Sequence, residues 1–169
     1  MRKRFESDDA VSIKEVRNIF FSRPLKAEDK DRSPKPIKSE AQPDFHHELR
    51  PNAKLLFRYS ALTFNTHAIR RDVVLCHEVE HYPDLIVHGP LSFTLLTTLL
   101  RHHLDKEASK KVIKHIKYGN THPLFNEQTI KVCGRKKSED EYELWEESED
   151  GNVAVQYTAT VEEISTHDL

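Results

Sequence analysis

The sequence predicts an α+β fold in which an antiparallel sheet wraps one long central helix. Three observations carry this. Leu91, Leu95, Leu96, Leu99, Leu100 and Leu104 recur at helical spacing and form a wide apolar stripe. After residue 111 the apolar period changes from 3.6 to 2. The period-2 runs then follow one another with no second striped helix, so they pair as half-buried antiparallel strands against the first.

Taken in order, residues 51–62 read as a helix. Pro51 stands at an early position, and Leu55, Leu56, Tyr59 and Leu62 share one face. The striped helix opens at His88-Gly89-Pro90. It closes with Arg101, His102 and His103, cations suited to the negative end of the helix dipole. Ile116 and Tyr118 flank Lys117, and Ile130 and Val132 flank Lys131. A strand over 142–146 turns at Asp150-Gly151 into a last one, where Val153, Val155, Tyr157, Ala159 and Val161 alternate with polar residues.

The rest of the chain lacks the apolar content to fold alone. Residues 26–42 hold Pro34, Pro36 and many charges, and read as a disordered linker. Ahead of them Ile13, Val16, Ile19, Phe20 and Phe21 mark one short helix or strand within a 1–25 segment. The folded domain is expected over 43–164, with a tail at 165–169.

Composition excludes several classes of function. The chain has 169 residues, 32% of them charged, and a formal net charge of -2, which calls for neither nucleic acid nor an anionic membrane. The longest apolar run, 95–100, includes Thr97 and Thr98 and is too short to span a bilayer. Met1-Arg2-Lys3-Arg4 is basic but no apolar stretch follows. Glu6, Asp8 and Asp9 count against a mitochondrial presequence. Cys76 and Cys133 make no disulfide framework, so free thiols in a reducing compartment are expected.

Two motifs could carry chemistry. His77-Glu78-Val79-Glu80-His81 matches the H-E-x-x-H pattern, which on a helix places two imidazoles on one face for zinc and a glutamate as base. Tyr82-Pro83 ends any helix there at once, so a short polar rim helix is the favoured reading. The pairs His46-His47 and His102-His103 point their side chains apart, and no metal site is expected. The second motif is Asn65-Thr66-His67. An amide and an imidazole two positions apart share a side on extended backbone, where they could hold a water beside a base of near-neutral pKa. Taken alone, the pair reads equally as a turn-capping Asn and a packed His.

The run from Arg58 through Tyr59-Ser-Ala-Leu-Thr-Phe-Asn-Thr-His67, followed by Tyr82-Pro-Asp-Leu-Ile-Val-His-Gly-Pro-Leu91, resembles the MaoC-like, hotdog-fold 3-hydroxyacyl-thioester dehydratases of type 2. Some relatives in that group are mesaconyl-CoA hydratases. Pro123-Leu-Phe, Lys131-Val-Cys-Gly-Arg-Lys and Trp145 through Asp150-Gly-Asn-Val-Ala154 fit the same family in the same order, so the resemblance covers about 43–160. It implies a C-terminal hotdog module that reversibly removes water from an (R)-3-hydroxyacyl thioester on CoA or acyl carrier protein. No cofactor is implied.

The same resemblance assigns roles. Asn65 and His67 are the candidate catalytic residues. Arg70, His88 and Gly89 are candidate substrate-binding residues at the start of the striped helix, where backbone N–H groups can stabilise charge on the thioester oxygen. The loop departs from the family's Asn-x-His-x-Ile-His: it reads Asn65-Thr-His67-Ala-Ile69-Arg70. The final histidine, the expected base, is Arg70, which stays protonated at ordinary pH. The Tyr-Arg-Asn strand of the family is Tyr118-Gly119-Asn120 here.

Relatives carry a preceding hotdog unit or dimerise, and 1–42 cannot supply one; 13–21 is its expected remnant. The leading reading is thus a dehydratase or hydratase module of fatty-acid metabolism, completed by a homodimer partner or a second hotdog unit. A non-catalytic paralogue that binds acyl thioesters is the second reading, and a zinc hydrolase the third. The resemblance implies a mitochondrial location, with the cytoplasm as the alternative.

Overall fold

A computed structural model describes residues 2–7, 10–19, 36–107 and 110–163. A five-stranded antiparallel sheet runs in the order β3-β5-β6-β7-β4. Its strands are β3 (Phe45–Leu49), β4 (Lys111–Asn120), β5 (Ile130–Lys136), β6 (Glu141–Glu147) and β7 (Val153–Glu163). Two helices precede most of it: α1 (Ala53–Leu62) and α2 (Gly89–Lys106). A separate hairpin joins β1 (Arg2–Ser7) to β2 (Ala10–Val16).

The leucine stripe does what its spacing predicts. Leu91, Leu96, Leu100 and Leu104 are buried, with Leu95 and Leu99 packed beside them. They meet the inward rows of the sheet: Ile130 and Val132 of β5, Tyr142 and Leu144 of β6, and Val155, Tyr157, Ala159 and Val161 of β7. Burying each leucine contributes roughly 1.5–3 kcal/mol. The register sets which groups share a level: Glu146 pairs with Val155, and Val155 with Asn120. The other face of the sheet holds a smaller cluster of Cys133, Trp145 and Val153, against which Ala41 packs.

Several expectations need correction. Pro51 lies outside α1, because the Asn52 side chain caps the helix by accepting from the Leu55 N–H at 3.0 Å. Leu56 is buried but Leu62, at the end of α1, is 78% exposed; the buried partner of Leu56 is Ser60. A strand over 45–49 forms where no alternation was visible. The end of the expected linker is also placed: Lys38 bridges to Asn152, and Val153 N–H donates to the Ile37 carbonyl at 2.7 Å. Of the apolar marks near the N-terminus, Ile13 and Val16 lie on β2, while Phe20 and Phe21, with the linker up to 35 and the tail, lie outside the described residues. Both cysteines are buried and free. Among the described residues no helix is long and apolar enough to cross a membrane.

Candidate active site

The segment between α1 and α2 is a sequence of tight turns. Asn65 N–H donates to the Ser60 carbonyl at 2.9 Å, ending the run out of α1. The Asn65 side-chain oxygen lies 3.4 Å from the His67 N–H, a long Asx contact. His67 opens a short 3-10 turn, Ala68–Arg70, and its carbonyl accepts from Arg70 N–H at 3.1 Å. Asn65, His67 and Arg70 therefore share one turn. The imidazole of His67 is exposed and the Asn65 side chain half-buried.

Arg70 ties this turn to the start of α2. Its Nη1 donates to the carbonyls of Ile86 and Val87, at 2.7 Å each. Ile86 also donates its N–H to the Ile69 carbonyl at 3.0 Å. The residues that follow are His88 and Gly89, the N-cap and first residue of α2. Burial pulls the Arg70 guanidinium below its usual pKa, partly opposed by Cys76 and Tyr82.

His88 is fully buried. Its Nε2 lies 2.8 Å from Ser60 Oγ, and Nδ1 is buried without a protein partner. Burial, then the positive charge of Arg70, lowers its pKa to about 4, so the ring is neutral at physiological pH. Its carbonyl accepts from Leu91 N–H and Ser92 N–H, and Tyr59 meets the ring edge-on.

Gly89 is needed for close packing against β4. A Cβ there would lie 2.8 Å from Asn120 Nδ2 and 3.3 Å from Tyr118 Oη. The Tyr118 hydroxyl stands 2.6 Å from the Gly89 carbonyl and 2.7 Å from Asn120 Oδ1. The open side of Gly89 is thus filled by the chain's own strand, not left clear for a ligand as the sequence suggested. Gly89→Ala is expected to push the Asn120 amide aside and cost about 1 kcal/mol, the worth of the bond it breaks. Denaturant melts of the single and double variants check this: the cost should disappear in an Asn120→Ala background.

Sequence reasoning missed Ser60, Tyr118 and Asn120 as neighbours of the helix start, although all three fall in stretches that carry the family resemblance. It also missed Glu146, which is fully buried with neither carboxyl oxygen in a well-formed hydrogen bond. Burial pushes its pKa up to about 7, and the Ser92 hydroxyl beside it works in the other direction. The H-E-x-x-H reading does not survive the backbone. Leu75–Val79 forms a single π turn, His77 Nε2 binds the Pro83 carbonyl at 2.6 Å, and His81 lies beyond the turn at φ 58°. The two imidazoles do not share the helical face that zinc would require. A groove of about 560 Å³ lies between residues 37–41 and the outer face of the sheet. Arg135, Glu143, Trp145 and Gln156 line it, and none of the five candidate site residues does.

A sequence model of the family described as hydroxyacyl-thioester dehydratase type 2 matches residues 1–126. The mesaconyl-C(4)-CoA hydratase of Chloroflexus aurantiacus is 38% identical over 112 residues, 66% of this chain and 37% of that protein. The mitochondrial hydroxyacyl-thioester dehydratase type 2 of Schizosaccharomyces pombe is 29% identical over 133 residues, 78% of this chain and 42% of that protein. The chain thus spans less than half the length of these relatives. Two solved structures share the fold. The (R)-hydratase from A. caviae involved in PHA biosynthesis has a TM-score of 0.55 at 20% identity, covering 74% of this chain and 98% of that one. A chain of the C-terminally truncated HadBC (3R-hydroxyacyl-ACP dehydratase) complex from Mycobacterium tuberculosis has a TM-score of 0.58 at 9% identity, covering 74% and 98%. At such identities these likenesses bear on the fold alone. The sheet and long helix are the hotdog arrangement expected from the sequence.

Proposed function

This chain belongs to the hydroxyacyl-thioester dehydratase type 2 family, and from that premise we propose that it is a hydro-lyase module acting on an acyl thioester of CoA or acyl carrier protein. The observation that carries this reading is the pair of bonds from Arg70 to the Ile86 and Val87 carbonyls. They fix the Asn65–His67 turn beside the first residue of α2.

In dehydration a base takes the proton from C2, the C3–O bond breaks, and the hydroxyl leaves with a proton as water. Charge builds on the thioester oxygen during that step. The Gly89 N–H has no protein partner among the described residues and is the donor suited to it; Pro90 has no N–H. His67 is assigned as the base and Asn65 as the group that orients the leaving hydroxyl. His88 is held neutral and engaged with Ser60, so it supports the helix start rather than exchanging protons near pH 7.

A homodimer partner or second hotdog unit completes the site. Support comes from the greater length of the relatives and from a fold neighbour that is part of a complex. The hotdog module is assigned to 43–164. A mitochondrial location follows the printed name of the fission-yeast relative.

Hydration of crotonyl-CoA tests the reading. His67→Ala is expected to lower kcat/KM by 10²-fold or more, about the share of a general base. Persistence of the rate in that variant with loss in Arg70→Ala would overturn the assignment. The second reading, a thioester binder without turnover, is favoured by Arg70 itself, a guanidinium where the family keeps a basic imidazole. Arg70→His is expected to raise the rate at least tenfold if that imidazole alone is missing.

A further inference from the structure

Arg70 is a half-buried cation with no counter-ion. Its Nη1 is committed to two carbonyls, and its Nε is closed off from water with no partner. Its Nη2 makes no protein hydrogen bond, and it is not among the buried unpaired atoms, so it reaches the surface. No carboxylate forms an ion pair with it among the described residues. The acids of the same segment are turned elsewhere: Asp72 accepts from Leu75 N–H at 3.0 Å and Asp84 from Leu85 N–H at 2.6 Å.

Partly buried charges in folded proteins are normally paired, because desolvation without a partner costs several kcal/mol. The same chain shows what the vacant edge of a guanidinium binds. Arg135 uses its Nε and Nη2 to hold Glu143 Oε2 at 2.8 and 2.6 Å. In Arg70 that edge is unfilled, with Nη2 at the surface and Nε just beneath it.

We propose that Arg70 binds a carboxylate on the acyl group of the substrate, so that the module takes acyl thioesters whose acyl arm is itself a carboxylic acid. This rests on the thioester-binding reading above. With the thioester oxygen at the Gly89 N–H, the acyl carbons run toward the 65–70 turn and meet Arg70. The phosphates of CoA lie at the far end of the pantetheine arm, away from this corner. A planar, permanently charged fork suits a carboxylate better than a methyl or a hydroxyl. The bonds to Ile86 and Val87 hold the guanidinium in place before ligand arrives, so little side-chain freedom remains to be lost on binding.

Calorimetric titration with succinyl-CoA and butyryl-CoA tests this, since the two differ at the end of a four-carbon acyl group and neither can be dehydrated. Wild-type protein is expected to bind succinyl-CoA at least tenfold more tightly. In Arg70→Met the ratio should fall below about twofold, with butyryl-CoA affinity little changed. Raising the salt should weaken the succinyl thioester alone, a readout on the wild-type protein that stands even if Arg70→Met does not fold. Equal binding of the two, or a preference that survives in folded Arg70→Met, would overturn the proposal and leave the thioester site standing. Failure of both thioesters to bind would remove the thioester reading and this one with it. Restoration of an Arg70 ion pair by an acid of a partner subunit, with no effect of the acyl carboxylate, would assign the vacant edge to assembly instead.

Discussion

Truncating Leu100 to alanine is expected to lower the free energy of unfolding by about 2–5 kcal/mol, while Leu62→Ala changes it by less than about 0.5 kcal/mol. Both leucines belong to helical stripes, and sequence spacing gave both to the core. Leu100 is 0% exposed at the middle of α2, between the inward rows of the sheet. Removing three carbons there loses their transfer free energy and leaves a void that α2 and the sheet close only in part. Leu62 ends α1 with its side chain in water, so truncation removes almost no buried surface. Urea melts of the two variants read the difference directly. Near-equal midpoints would mean that α2 is not the centre of the fold, and the hotdog assignment would fall with it.

What was legible in the sequence follows from how each element is buried. The α2 stripe and the 153–161 alternation were readable because each element buries one continuous face. Strand β3 was not readable. It is an edge strand whose buried contribution is Phe45 and Leu49 at its ends, with His46, His47 and Glu48 exposed between them. The pairing of β3 with β5 is a long-range hydrogen-bond ladder that leaves no local period. Leu62 was misread because one more helical step past Tyr59 carries the stripe beyond the surface that α1 covers.

The site divides along the same line. Asn65, His67 and Arg70 were legible as a local cluster, since one turn holds them. That Arg70 reaches the carbonyls before His88 was not, because the contact spans 16 and 17 residues through the fold. Ser60 and Tyr118 lie as far away in sequence from the helix start they touch. Glu146 is a different case. Its alternation with Tyr142 and Leu144 already placed it inward, but it stands among Glu141, Glu143 and Glu147 and reads as one more solvated acid.

That buried acid gives the second large expected effect: Glu146→Gln is expected to stabilise the protein at pH 8 relative to pH 4 by on the order of 3 kcal/mol. Glu146 lies on β6 between Val132 and Val155, under Ser92 of α2, with Tyr118 acting on it weakly from β4. Its folded pKa is raised to about 7 from an ordinary 4.5. The folded state therefore holds the proton more tightly than the unfolded chain does. Stability is complete below the unfolded value and is lost as pH rises from about 4.5 through about 7. His88 works in the opposite sense over nearly the same range. Its folded pKa falls to about 4 from 6.5, so its contribution is present above 6.5 and lost as pH falls toward 4. The two slopes oppose one another between about pH 4.5 and 6.5, and the wild-type stability should be nearly flat there. The variants separate them. The excess stability of Glu146→Gln over wild type should be small at pH 4 and grow to its full size by pH 8, whatever constant cost the buried amide adds. In His88→Gln the acid-side loss should disappear, leaving stability that falls steadily with rising pH. A Glu146→Gln excess that stays constant from pH 4 to 8 in chemical denaturation would show that the carboxyl is ionised and partnered in the folded protein, and that this side of α2 is not the dry, uncharged interior that holds His88 neutral.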